Sequence, residues 1–151
     1  MKLGADELEA YIAHALDAMT HKATALGDRV SERPSLDGAN SVYALTVHCM
    51  EVTRFWLDHV VCANPSERDR DAEFAATGTV SDLEAQVVQF KSELPAMVRA
   101  ACAVDAPLNA EWRDFGWWPF TTVGVSLHVI EELYQHLGHV DITVDLLQSG
   151  A

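Results

Sequence analysis

Three residues have the types and spacing to share a divalent cation: His48, Glu132 and His136. Glu132 and His136 stand four apart, so on a helix they share one face, about 6 Å apart along the axis. A carboxylate and an imidazole so placed can converge on one ion. The same stripe carries Val125, Val129, Val140 and Val144, which points it inward. An ionised glutamate on such a face costs several kcal/mol unless compensated. The last helix contains no Lys or Arg to do this, so a metal ion is the better partner. His48, inside an apolar stripe of another segment, adds a second nitrogen. Two nitrogens and one oxygen leave a coordination position open, the pattern of a reactive zinc site rather than a closed structural one. Zinc suits this donor set best; nickel, iron and manganese are compatible with it.

Each of these residues also has an ordinary structural role open to it. A lone inward histidine is usually a satisfied core residue, and Glu and His four apart are usually a solvated pair. The three together on core-facing stripes favour the metal. His139 could replace Glu132 beside His136 or support His136 from outside. His128 is about 12 Å along the axis from His136, too far to share its ion. His14, His21 and His59 read as surface or partly buried residues. Cys49 points about 100° away from His48. With Cys62 and Cys102 it forms no CxxC pair, so neither a disulfide framework nor a thiolate zinc site is expected. No side chain is assigned a catalytic role.

Four helical patterns must position these groups. The first runs from about Asp6 to Val30, with Leu8, Tyr11, Ile12, Ala15, Leu16, Met19, Ala23, Leu26 and Val30 on one stripe. The second runs from about Asn40, a plausible N-cap, to Cys62, with Leu45, His48, Cys49, Val52, Phe55, Trp56 and Val60 inward. A polar link from Asn64 to Gly78 is longer than a helical hairpin needs. The third helix starts at Ser81, which has capping-box spacing to Glu84. Its stripe is Leu83, Val87, Phe90, Leu94, Met97 and Ala101, with a kink expected at Pro95. An aromatic loop containing Trp112, Phe115, Trp117, Trp118 and Phe120 precedes the last helix, from about Thr121 to Leu147. Strand-like alternation is nowhere sustained. The class is therefore all-α, a four-helix bundle in one domain spanning 1–151. If the second and last helices are antiparallel, the three candidate ligands meet near mid-bundle, which favours a crossover in the Asn64–Gly78 link.

The net charge of −13 disfavours nucleic acid and anionic membrane surfaces, whose binding depends on cationic residues. No stretch approaches the roughly 20 apolar residues of a membrane span, and the N-terminus lacks a secretory pattern. A cytoplasmic protein is expected.

Three segments carry a family resemblance. Gly38-Ala39-Asn40-Ser41 with His48-Cys49-Met50-Glu51-Val52-Thr53-Arg54-Phe55-Trp56 resembles the second helix of the DinB-like superfamily. Arg68-Asp69-Arg70-Asp71-Ala72-Glu73-Phe74 and His128-Val129-Ile130-Glu131-Glu132 with His136-Leu137-Gly138-His139-Val140-Asp141 resemble the linker and final helix of one branch. That branch contains the metal-binding domain of mycothiol-dependent maleylpyruvate isomerase. The resemblance implies a four-helix bundle with a long crossover between the second and third helices. It also implies a metal triad at His48, Glu132 and His136, a mycothiol-like thiol as partner, and a homodimer. The isomerase has a second, C-terminal domain with no counterpart before Ala151, so the isomerase reaction itself is not expected.

The expected function is a metal-dependent transferase in which the ion activates a low-molecular-weight thiol for attack on a small electrophile. Trp117 and Trp118 are candidate walls for the electrophile, which the sequence does not identify. The rivals are a non-enzymatic metal-binding or stress-response module and a metal-dependent hydrolase using bound water.

Overall fold

The computed structural model describes residues 3–150. Four long helices form the body: α1 (Ala5–Leu26), α2 (Val42–Arg54), α4 (Val80–Cys102) and α5 (Thr122–Ser149). A short helix, α3 (Arg70–Ala75), interrupts the polar link, and no strand occurs among the described residues. The chain is thus all-α, as the missing alternation implied.

Side-chain pairings fix the helix directions. Asp17 meets Lys91 and Thr24 meets Glu84, so α1 and α4 are antiparallel. Tyr11 meets Tyr134 and Lys22 meets Asp141, so α1 and α5 run together. Tyr43 bonds Gln86 and Arg54 bonds Glu93, so α2 and α4 also run together. Parallel consecutive helices cannot be joined by a tight hairpin, and this is why the 62–79 link is long. His48 approaches His136 while Trp56 approaches His128, so α2 and α5 are antiparallel. The bundle is up-down-down-up.

Burial follows the apolar stripes. Leu8, Ile12, Leu16 and Met19 of α1 pack with Leu83, Phe90 and Leu94 of α4 and Val125, Val129 and Leu133 of α5 in one core. Two stripe residues depart from expectation. Tyr11 is 58% exposed, because it lies over the Tyr134 ring at the surface, and Val98 rather than Met97 is buried in α4. Helix α2 is buried on almost every side, which explains its near-continuous apolar run.

The helix starts also moved by a residue or two. Ser41, not Asn40, caps α2 by accepting from the Ala44 N–H, and the capping box of α4 is Thr79 with Asp82, not Ser81 with Glu84. Both spacings satisfy the same chemistry, since an oxygen three residues before a free N–H is all the cap requires. Helix α4 continues through Pro95. Past Arg54 the second helix widens into a π-helical segment, Phe55–Val61, beside the aromatic loop. Such widening is uncommon and tends to occur at functional sites.

Candidate metal centre

Helix α2 brings His48 to the bundle interior, where it is 3% exposed. Its Nε2 lies 3.8 Å from an oxygen of Glu132, and the Nε2 of His136 lies 3.6 Å from the same oxygen. The three ligating atoms all fall within 4.8 Å of one another. These separations are too long for good hydrogen bonds. They are close to the roughly 3.3–3.5 Å expected between donors on a four-coordinate ion with bonds near 2.0–2.1 Å. The donor set and its spacing therefore fit a small divalent cation.

Glu132 and His136 are less buried than their stripe implied, with side chains 28% and 15% exposed. They sit at the margin of the Val125–Val144 stripe and face a cavity. The desolvation argument is accordingly weaker for Glu132 than its sequence position suggested, while an open side is what a reactive centre needs.

The sequence reading missed the residue that orients His48. Glu73 of α3 is 4% exposed, and its carboxylate accepts the His48 Nδ1–H at 2.7 Å. That bond leaves the lone pair on Nε2, the atom aimed at Glu132 and His136. Arg68 clamps Glu73 from the other side, donating from Nε at 2.5 Å and Nη2 at 2.9 Å. Asp69 caps α3 by accepting from the Ala72 N–H, and one turn later Glu73 and Phe74 dock on α2, Phe74 stacking on His48 at 4.5 Å. An apolar Phe74 beside Glu73 in an otherwise polar link was the available signal. His136 has a similar support, its Nδ1 lying 3.2 Å from Nδ1 of His139, the supporting role considered for that residue.

The charges respond to one another. Imidazoles of His136 and His48 beside Glu132 hold its carboxyl well below the usual range, against the effect of burial. Burial alone would lower the His48 pKa, but Glu132 and Glu73 together raise it. Burial would raise that of Glu73, but His48 and Arg68 outweigh it and the pKa is lowered. Glu132 is ionised, and a positive charge between these groups is what the site favours. Cys49 is fully buried, its thiol pushed far up by burial first and by Glu132 next, so it is an inert core residue.

The cavity beside the triad measures about 590 Å³. Its aromatic walls are Phe55 and Trp56 from the π-helical segment and Trp112 and Phe115 from the loop. The walls expected from sequence, Trp117 and Trp118, do not line it. Trp117 is 85% exposed, and Trp118 is buried behind the wall, stacked on His128 at 4.8 Å. His128 itself is held between Trp118 and Trp56 and lines the cavity, with Nε2 3.8 Å from Glu132. His14 and His21 are exposed and His59 is partly buried, away from the triad.

Among known protein families, the model described as Mycothiol-S-transferase matches residues 7–148. No curated protein and no solved structure gives a significant match.

Proposed function

The chain belongs to the mycothiol-S-transferase family, within the DinB-like superfamily, and we propose that it joins a small electrophile to the sulfur of mycothiol or a similar thiol at a cation held by His48, Glu132 and His136. The observation that carries this reading is the convergence of three donor atoms within 4.8 Å at the edge of an aromatic-walled cavity. A divalent cation bound there would supply acidification of the cosubstrate thiol. Zinc is the proposed ion, with nickel as the runner-up on the same donor set.

The chain's own groups divide the remaining work. Glu73 and Arg68 fix the ring and tautomer of His48, and His139 steadies His136. Glu132 contributes one negative charge to the donor set, which would leave a bound divalent cation with net positive charge to stabilise a thiolate. Phe55, Trp56, Trp112 and Phe115 exclude water and hold the electrophile's apolar body. The thiol proton leaves to solvent, the sulfur–carbon bond forms, and the leaving group departs with the electron pair of its bond to carbon. In this reading residues 1–151 act as one domain and the working unit is a homodimer in the cytoplasm. No helix among the described residues is long and apolar enough to cross a membrane.

The test is consumption of free thiol in the presence of electrophiles that carry a leaving group, such as haloalkanes, with and without chelator. Enzyme-dependent loss of thiol that chelation abolishes is expected. One bound ion per chain with no thiol turnover against a broad electrophile panel would favour the metal-binding module instead.

A further inference from the structure

One guanidinium lining the site cavity makes no ion pair with a carboxylate among the described residues. The chain has 23 acidic residues against 10 basic ones, and five of the ten are tied to carboxylates. Lys22, Arg29, Arg54, Arg68 and Lys91 are each tied to a carboxylate. Arg70 is exposed, makes no ion pair among the described residues, and lines the same cavity as Glu132 and His136. Its Cζ lies 4.9 Å over the Phe74 ring, and Phe74 in turn stacks on His48. The free charge therefore stands two stacked layers from the triad.

We infer that the electrophile is a flat apolar molecule bearing one anionic group, a carboxylate or sulfonate, and that Arg70 selects it. The inference rests on the transferase reading. Four aromatic walls suit the flat body, and a guanidinium presents a planar fork that matches such anions. Net charge makes the requirement sharper. A protein at −13 repels anions at a distance, but at physiological salt charges beyond about 8 Å are largely screened. Apart from a bound metal ion, only a side-chain cation lining the cavity can then favour an anion, and Arg68 is already spent on Glu73. The anion belongs to the electrophile rather than the thiol, because mycothiol is an amide-capped cysteine on a neutral sugar and ionises only at sulfur.

Binding can be read without turnover, since Trp56 and Trp112 line the cavity. Tryptophan fluorescence of the metal-loaded protein would be titrated with 4-methylbenzenesulfonate and with its uncharged counterpart, methyl 4-tolyl sulfone. The sulfonate should bind about tenfold more tightly, the gain of one exposed charge-assisted contact. Arg70→Gln should erase that preference and Arg70→Lys should keep part of it. Equal binding of the two probes to the unaltered protein would overturn the inference. So would a preference that survives Arg70→Gln, which would place the anion on the metal instead.

A second arm uses 4-(bromomethyl)benzenesulfonate and the matching methyl sulfone with mycothiol, each yielding a thioether and bromide. Arg70→Gln should raise KM for the sulfonate several-fold more than for the sulfone. Turnover of both compounds at equal KM removes the inference and spares the transferase reading. Turnover of neither, with other haloalkanes consumed, also removes the inference and spares the reading; failure across the whole electrophile panel removes both.

Discussion

Replacing Glu73 by glutamine should weaken metal binding by tenfold to a hundredfold while leaving the bundle folded. The side chain keeps its size, so packing against α2 is undisturbed. What changes is charge. The carboxylate accepts one bond from His48 at 2.7 Å and two from Arg68, and all three are charge-assisted. A neutral amide offers a single oxygen to those donors and turns an N–H₂ toward the rest. His48 then loses the bond that fixes its tautomer, and Arg68, only 15% exposed, loses its counter-charge. Removing a carboxylate that supports a ligating histidine typically costs about tenfold to a hundredfold in metal affinity, or roughly 1.4–2.8 kcal/mol. Glu73→Ala should cost more, because it leaves Arg68 wholly unpaired. The assay is competition for zinc against a chromophoric chelator near pH 7, where the lowered pKa of Glu73 keeps its carboxylate ionised. Circular dichroism would confirm that the variant is folded. An unchanged affinity in folded Glu73→Gln would refute the claim that this carboxylate orients a metal ligand.

Further outcomes follow from the helix ends. At Gly124 an added Cβ would meet the Pro119 carbonyl at 1.9 Å, a backbone contact that cannot move aside, so Gly124→Ala should destabilise by about 1–3 kcal/mol in denaturant melts. It should also shift the aromatic loop, seen as altered fluorescence of Trp112 and Trp118. Asp82 has its pKa lowered by the Thr79 backbone N–H and then by the Thr79 hydroxyl. A lowered folded-state value means its stabilisation is complete above the ordinary value of 3.8 and fades as pH falls through the folded one. Thermal melts from pH 2 to 6 should show Asp82→Asn least stable relative to the parent at the upper end, with the gap closing towards the lower end.

What the sequence disclosed and what it withheld have a physical pattern. The helices were legible because apolar residues recur at three- and four-residue steps, and the positions of His48, Glu132 and His136 along them favoured an antiparallel α2 and α5 without deciding it. The sequence pattern failed where tertiary contacts, not local periodicity, decide. Helix α3 has only six residues, too few for a periodic signal, and it is held by Asp69 at its start and by Phe74 against His48. Glu73 consequently read as part of a solvated link. The aromatic loop has the same character. Nothing in its composition separates Trp112, which lines the cavity, from Trp117, which faces solvent. Cap positions slipped because Asn40 and Ser41, or Thr79 and Ser81, offer nearly equivalent oxygens, and packing selects between them.

The most direct measurement is the metal content of untagged protein purified without a nickel column, compared with His48→Ala and Glu132→Ala. About one equivalent of a divalent ion per chain is expected in the parent, falling below about a tenth in either variant once an open-sided three-donor site loses a ligand. Full occupancy surviving both substitutions would mean that the ion is held elsewhere.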